Sequence, residues 1–270
     1  MKIPVVKYLR RPTIEQNIYN FFATITGLTI FSFEFFKNVF IPPYDVGEIK
    51  RHMDELGVKT FPIVSITGIV IGLVMAMQLQ PVMERFGASD FLPATLSLSI
   101  VRELGPVITA LIFAGRVSSG IGAELGSMRV TEQIDAMEVS AVHPFKYLVV
   151  TRIFATTMIL PILTIYVIFL SLFGGYIAVI IVDNMSPAYY VNSILSSMKF
   201  GDFIPAIAKT FVFGYIVGLV GCYKGFTTDG GTEGVGRSAT TAVVIASLLI
   251  LLFDTVLVKI TLILWPTLDA

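Results

Sequence analysis

The stretch IFATTMILPILTIYVIFLSLFGGYIAVIIV, residues 153–182, is almost continuously apolar and contains no charged side chain. A helix needs roughly 20 such residues to cross the hydrocarbon core of a bilayer. Because every backbone amide in lipid must be hydrogen-bonded within its own segment, an apolar stretch of this length predicts a helix that spans a membrane.

Four other segments have the same character and lie at 61–83, 94–115, 203–223 and 239–264. The chain of 270 residues is 55% hydrophobic and 14% charged, whereas a soluble domain has about 25% charged residues. The sequence therefore predicts an all-α integral membrane protein with five transmembrane helices.

The segment 18–41 is rich in phenylalanine but includes Glu34 and Lys37, so it could span the membrane or lie in its interface. Basic residues occur on both sides of it, at Lys2, Lys7, Arg10, Arg11, Lys50, Arg51 and Lys59. A spanning helix would leave one of these clusters outside, against the positive-inside rule. We therefore expect residues 1–59 to form a cytoplasmic N-terminus with an amphipathic helix lying flat in the interface.

Loop charges give the orientation of the five predicted spans. The loops expected inside contain Arg116, Arg129, Lys146, Arg152, Lys224 and Arg237, whereas those expected outside contain only Arg85 and Lys199. This bias predicts a cytoplasmic N-terminus and a periplasmic tail at 265–270, with Trp265 as an interfacial anchor.

Glycines recur at four-residue spacing in three pairs: Gly68 and Gly72, Gly122 and Gly126, Gly214 and Gly218. Small residues at this spacing let membrane helices approach closely, either within one subunit or at a seam between two copies. The single cysteine, Cys222, excludes an intrachain disulfide, and we expect it to fill apolar space in the interior.

A charged pair, Arg102 and Glu103, lies inside the second predicted span, shortly before Pro106. Each charge costs roughly 2.5–3.5 kcal/mol at this depth, so the pair should face protein or water rather than lipid. Adjacent helix residues point about 100° apart, so the two side chains cannot both face one partner. The pair indicates either a polar spot in a substrate cavity or a structural ion pair with Lys209 or Asp254.

An apolar stripe with helical spacing precedes this pair, at Met75, Leu79, Val82, Met83 and Phe86. Flexible methionines on such a face could repack around varied acyl chains. The spacing alone is more typical of ordinary packing or of a surface that faces lipid.

The stretch 120–139, between the second and third predicted spans, is helix-prone and mixes charged with apolar residues. A helix of this kind suits docking onto a cytosolic partner, and it also suits a solvated interfacial helix that has no partner.

No Gly-x-x-x-x-Gly-Lys-Ser/Thr, His-Glu-x-x-His or Gly-x-Ser-x-Gly motif occurs, so we expect no nucleotide hydrolysis, metal or cofactor on this chain. His52 and His143 are expected at the surface. The net charge of zero gives no indication of nucleic-acid binding.

Several motifs together carry a resemblance to a known family: RELGPV at 102–107, AGR at 114–116, AELGSMRVTEQIDAME at 123–138 and the glycine-rich stretch 225–241. They resemble the signature of the MlaE (YrbE) permeases of the MCE-associated ABC transporters. The likeness covers about residues 60–264, which would form the permease domain.

The resemblance implies a homodimer of permeases in the bacterial inner membrane that transports phospholipids and serves outer-membrane lipid asymmetry. Its implied partners are a cytosolic MlaF-like ATPase, which would bind ATP and magnesium, a periplasmic MlaD-like MCE ring and an MlaB-like STAS protein. The ATPase would dock on a coupling region at residues 118–141.

The residues that this family would use follow from the matching positions. The expected lipid cavity comprises Met75, Leu79, Val82, Met83, Phe86, Arg102 and Glu103, with the two charges near the headgroup. The expected ATPase contacts are Glu124, Met128, Arg129, Thr131, Glu132, Gln133 and Asp135. Phe86 stands where some family members have tyrosine, so a hydroxyl contact there is not expected.

Two other functions fit parts of the sequence. An ion-driven secondary transporter or channel could use Arg102, Glu103 and Asp254 as relay groups, but such carriers often have inverted repeats, and we find none. A non-transporting scaffold would leave the charged pair without a role.

Overall fold

The computed structural model describes residues 14–42, 45–183 and 185–264. Within these ranges the secondary structure is helical, and no strand occurs. The helices are α1, Ile14–Val39; α2, Val46–Arg85; α3, Ser89–Val130; α4, Gln133–Val139; α5, a π-helical turn at Phe145–Val150 followed by Thr151–Asp183; α6, Pro187–Ser197; α7, Phe200–Phe226; and α8, Gly231–Leu264.

Five of these helices, α2, α3, α5, α7 and α8, are long and apolar enough to cross a membrane. They contain the five predicted spans, so the prediction of an all-α integral membrane protein is confirmed. The segment between the third and fourth spans, predicted as a loop, includes the additional helix α6.

The first spanning helix begins much earlier than the sequence indicates. Its N-cap is Asp45, whose Oδ1 accepts a hydrogen bond from the Glu48 backbone N–H at 3.1 Å. The predicted boundary at 59/60 therefore falls inside one continuous helix. Hydropathy identifies only the apolar part of a helix, whereas polar residues extend α2 to about 60 Å, twice the thickness of the hydrocarbon core.

The three glycine pairs bring helices of this same chain together. A Cβ on Gly72 of α2 would overlap the Ser171 backbone of α5. A Cβ on Gly214 of α7 would lie 2.9 Å from the Cα of Thr157, which is also on α5. On α3, Gly126 approaches the Thr228 side chain in the connection between α7 and α8. The spacing therefore serves close packing within one subunit, which decides between the two interpretations for these pairs.

Helix α1 lies across one end of the bundle instead of running through it. The ring of Phe31 meets that of Phe145, at the start of α5, with 5.0 Å between centroids. Near the end of α1, the backbone carbonyl of Ile41 accepts a 2.6 Å hydrogen bond from Lys146 Nζ. Near its middle, Thr24 lines a cavity with Arg237 of α8.

The middle of α1 and the residues just after its end thus meet the same end of the bundle, and α1 is not among the candidate spans. Its outer face carries exposed aromatic side chains: Phe22, Phe33, Phe36 and Phe40. This arrangement agrees with the predicted interfacial helix.

The interior contains two hydrophobic clusters. The larger one includes the fully buried thiol of Cys222, as expected. His52 is only 7% exposed, so its expected surface position is wrong; the face of α2 that bears it packs inward. Residues 1–13 and the tail at 265–270, including Trp265, lie outside the described residues.

Candidate functional site

The charged pair of α3 lies in a local irregularity of that helix. Residues Ile100–Leu104 form a π-helical turn, in which the Gly105 N–H donates to the Ile100 carbonyl five residues earlier. Pro106 follows directly and lacks the N–H that a regular helix would use. Turns of this kind occur frequently at functional sites, because they change the direction in which side chains point.

Arg102 points toward the beginning of α7. Its Nε donates to Asp202 Oδ1 at 2.8 Å, and its guanidinium lies 2.7 Å from the same oxygen. The other carboxylate oxygen of Asp202 accepts from the Lys199 backbone N–H at 2.9 Å. Asp202 is 1% exposed, so it both caps α7 and neutralises Arg102.

Glu103 points in a different direction, toward Lys209 and α8. Lys209 Nζ lies 2.8 Å from Glu103 Oε2 and 2.9 Å from Asp254 Oδ1. The five residues Arg102, Glu103, Asp202, Lys209 and Asp254 form what we call the ionic network, which joins α3, α7 and α8. The two neighbours have different partners, as expected. Of the two suggested partners, Lys209 pairs with Glu103, whereas Asp254 pairs with Lys209, and Arg102 pairs with Asp202.

The ionic network is not sealed inside the subunit. The side chains of Glu103 and Arg102 are 44% and 34% exposed, whereas Lys209 is 6% exposed. Lys209 lies about 14 Å from the start of α7 and Asp254 about 15 Å from the end of α8. Lys209, Asp254 and the Glu103 carboxylate that Lys209 contacts therefore lie well inside the apolar part of the bundle, whereas Asp202 lies at its edge, in the first turn of α7. The cleft beside it has a volume of about 50 Å³, which a phospholipid would exceed many times.

The apolar stripe on α2 divides into two parts. Met75, Leu79 and Met83 are partly buried and pack against the smaller hydrophobic cluster. Val82 and Phe86 are exposed on the outer surface, at 44% and 80%. Within one copy, therefore, only part of the stripe is available to a ligand.

The coupling region contains a sharp break. Helix α3 ends at Val130, and Glu132 adopts a left-handed backbone conformation with φ of 58° before α4 begins. Ile134 anchors α4 in the larger hydrophobic cluster and is almost fully buried. Because of this anchor, α4 is attached to the bundle and is not a free tether.

The predicted contact residues of this region differ in exposure. Thr131, Glu132 and Gln133 are exposed at the tip of the turn. Met128 packs inward against the larger cluster. Arg129 pairs with Asp135 at 2.5 Å across the turn, and both side chains are accessible.

Glu124, which is one of the expected ATPase contacts, forms an ion pair within the chain. Its Oε1 lies 2.7 Å from a guanidinium nitrogen of Arg152, which is 4% exposed and also donates to the Leu148 carbonyl. The carboxylate therefore holds α3 against the start of α5, although half of it remains accessible.

Asp202 and Arg116 are the main polar residues that sequence reasoning missed. Arg116 Nη1 donates to Thr60 Oγ1 at 2.5 Å and to the Leu56 carbonyl at 3.2 Å, joining α3 to α2. The sequence feature that could have identified Asp202 is its position three residues after the helix-capping residue Lys199, since an acidic side chain at that position can cap the start of a helix. No group of three His, Cys, Asp or Glu residues among 14–42, 45–183 and 185–264 is placed to hold a metal.

The amino-acid sequence is similar to a protein family and to several known proteins. The family model described as Permease MlaE matches residues 49–260. The chain is 40% identical to a probable ABC transporter permease protein of Synechocystis over 76% of this chain and 80% of that protein. It is 36% identical to one of Rickettsia typhi, covering 86% and 90%.

The chain is also 32% identical over 211 residues to the intermembrane phospholipid transport system permease protein MlaE of Haemophilus influenzae, covering 78% of this chain and 81% of that protein. The match to the family model, at residues 49–260, includes the ionic network, the coupling region and all or most of each of the five spans. The chain therefore belongs to the MlaE permease family of ABC transporter permeases.

Proposed function

We propose that two copies of this chain form the membrane pathway of an ATP-driven phospholipid transporter in a bacterial inner membrane. The observation that carries the proposal is the half-exposed ionic network within the apolar span of the bundle. The substrate class comes from the Haemophilus influenzae relative, whose name describes a phospholipid transport system permease.

A charged side chain that is exposed to lipid is costly. Glu103 and Arg102 would face lipid tails if a single copy were surrounded by membrane, at roughly 2.5–3.5 kcal/mol for each charge. A second copy that covers this surface and leaves a water-containing cavity removes that cost. A phospholipid headgroup carries both a phosphate and polar esters, so it is a suitable ligand for a guanidinium beside a carboxylate.

The acyl chains of such a ligand need an apolar wall. The exposed Val82 and Phe86 and the partly buried methionines Met75 and Met83 of α2 would provide it where two copies meet. The cavity would then consist of surfaces that are separate in one copy.

The energy source would act at the coupling region. We infer that a cytosolic ATPase, MlaF-like, with bound ATP and magnesium, docks on Thr131, Glu132 and Gln133. Because Ile134 fixes α4 to the core, a movement of the ATPase would be transmitted to α3 and so to Arg102 and Glu103. A periplasmic MCE ring, MlaD-like, would exchange lipid with the cavity on the other side, and an MlaB-like STAS protein would bind the ATPase. This arrangement places the N-terminus in the cytoplasm and the C-terminus in the periplasm.

The test is phospholipid transfer by the purified transporter in proteoliposomes, compared between wild type and Arg102→Gln. We expect the variant to transfer phospholipid at least about tenfold more slowly, since one lost charge-assisted hydrogen bond is worth about 1.5–3 kcal/mol. Lys259→Gln, an exposed cation on α8 outside the ionic network, is the matched control and should transfer lipid at the wild-type rate.

Two results would contradict the proposal. One is wild-type transfer by Arg102→Gln in a complex that still contains its ATPase. The other is transfer that continues without ATP but stops when an uncoupler removes the proton gradient, which would indicate a secondary transporter.

A further inference from the structure

We propose, on the basis of the transport function proposed above, that the Glu103 carboxylate selects phospholipids whose headgroup ends in a primary ammonium, as in phosphatidylethanolamine. Three observations carry the proposal: the charge balance of the ionic network, an unpartnered oxygen of Glu103 and the small size of the cleft beside it. Glu103 thereby determines which phospholipids the transporter takes.

The ionic network contains more negative than positive charge. Its two cations are Arg102 and Lys209, and its three carboxylates are Glu103, Asp202 and Asp254, which gives a formal net charge of −1. Arg102 compensates Asp202, so Lys209 has to serve the other two carboxylates. Because a charge that is only partly compensated is costly at membrane depth, the site favours one additional cation.

Glu103 is the carboxylate at which an additional cation can bind. Lys209 Nζ donates to its Oε2 at 2.8 Å, and no N–H or O–H group of the described residues donates to its Oε1. Its side chain is 44% exposed and lines the cleft, whereas Asp254 is 16% and Asp202 1% exposed. A ligand in the cleft therefore reaches Glu103 and not the other two carboxylates.

The cleft beside Glu103 limits the size of the cation. Its volume is about 50 Å³, whereas one molecule of liquid water occupies about 30 Å³. A primary ammonium is similar in size to water and has three N–H donors, so it fits and can donate to Oε1. The trimethylammonium of choline is larger and has no N–H. Pro205, Ala206 and Val258 also line the cleft, and their apolar surfaces strengthen an ion pair that forms there.

Arg102 provides the other half of a site for a zwitterionic headgroup. Its guanidinium is directed toward Asp202, away from Glu103, and its side chain is 34% exposed. A headgroup can therefore place its phosphate at Arg102 and its ammonium at Glu103. Phosphatidylglycerol has the same phosphate but no cation, so it adds a negative charge to a site that already has an excess of one.

The experiment measures competition between headgroups, with the purified full-length transporter and its ATPase in donor proteoliposomes. The donor membrane contains equal amounts of phosphatidylethanolamine, phosphatidylglycerol and phosphatidylcholine with identical acyl chains. Mass spectrometry of the acceptor membranes gives the amount of each lipid transferred, after subtraction of transfer without ATP. The ratio of two lipids in one sample does not depend on the overall rate of transport.

We expect the wild type to transfer phosphatidylethanolamine about five- to tenfold more than phosphatidylglycerol. This is the effect of replacing a neutral hydrogen bond at Glu103 by a hydrogen bond between two charged groups. Phosphatidylcholine should also be transferred several-fold less than phosphatidylethanolamine, because its headgroup is too large for the cleft.

Glu103→Gln should lower the ratio of phosphatidylethanolamine to phosphatidylglycerol to about one, since it removes the negative charge that binds the ammonium. Glu103→Asp retains the carboxylate and should keep a ratio above one. The matched control is Asp90→Asn, which neutralises an exposed carboxylate at the beginning of α3 and should keep the wild-type ratio. If Glu103→Gln does not fold, the wild-type ratios and Glu103→Asp decide the matter.

Equal transfer of the three lipids by the wild type would overturn the inference and leave the proposed function intact. That result would mean that a proton or a cation of the second copy neutralises Glu103. A wild-type ratio that persists in Glu103→Gln would also overturn it, because the selectivity would then come from another group. Transfer of none of the three lipids would instead contradict the proposed function, and with it this inference.

Discussion

The ionic network and the coupling region are both rich in charge, but they use it in opposite ways. In the network every charge is paired, and Lys209 lies between two carboxylates at 2.8 and 2.9 Å. In the coupling region Arg129 and Asp135 pair across the turn, while Glu132 and Gln133 remain exposed at its tip. The surroundings explain the difference, because an unpaired charge is costly in a bilayer and costs little in water.

This contrast indicates what each region does. In the membrane each charge of the ionic network needs its partner, so the network fixes the positions of α3, α7 and α8 relative to one another. A region with spare charges on its surface is available to another protein.

The largest effect is expected when the centre of the network is removed. Lys209→Met leaves Glu103 and Asp254 close together without a counter-charge, which should destabilise the protein by about 3–5 kcal/mol. The measurement is thermal or chemical denaturation of the purified protein in detergent. Lys259→Met on α8 serves as the control and should change stability little, because the Lys259 side chain is exposed.

The triple variant Lys209→Met, Glu103→Gln, Asp254→Asn sharpens this prediction. With both carboxylates neutral, most of the lost stability should return, since the penalty comes from uncompensated charge and not from lost packing. A triple variant as unstable as Lys209→Met would show that the Lys209 side chain stabilises these helices by some means other than its charge.

A smaller effect is expected for charge reversal in the coupling region. Glu132→Lys should weaken association with the ATPase about tenfold, equivalent to about 1.4 kcal/mol. Its own folding stability should stay within about 0.5 kcal/mol of wild type, because the side chain is exposed. The measurement is the ATPase-to-permease ratio after affinity purification through the permease.

Asp54→Lys is the control for this variant, since it reverses an exposed carboxylate on α2 and leaves the turn at residues 131–133 unchanged. Equal loss of ATPase in both variants would mean that general surface charge, and not this turn, recruits the partner.

The smallest effect concerns the backbone after α4. Ala141 has φ of 59°, a left-handed conformation that costs a residue with a Cβ about 1–2 kcal/mol. Ala141→Gly should therefore stabilise the protein slightly, by less than about 1 kcal/mol. Ala136→Gly, inside α4, should destabilise it by about the same amount. Denaturation midpoints of the two variants should lie on opposite sides of the wild-type value, and the reverse order would contradict this.

Several features could be predicted from the sequence because they depend on local patterns. Apolar length alone predicts the five spans. The cost of charge in lipid shows that Arg102 and Glu103 need partners, and the scarcity of other charges in the apolar segments suggests Lys209 and Asp254.

Other features depend on the three-dimensional arrangement and could not be predicted in this way. The partner of Arg102 is Asp202, which lies just outside the predicted fourth span. The left-handed Glu132 divides a stretch whose composition is helical throughout. Which members of the α2 stripe face the core depends on where α5 packs.

The central claim is that the ionic network opens onto a water-containing cavity between two copies. The most direct test is labelling of a Glu103→Cys variant with a membrane-impermeant maleimide, in nanodiscs and in a Cys222→Ala background that removes the buried native thiol. We predict that the thiol at position 103 reacts, and that added phospholipid with a short, soluble acyl chain slows the reaction. A thiol that reacts only after denaturation would contradict the claim.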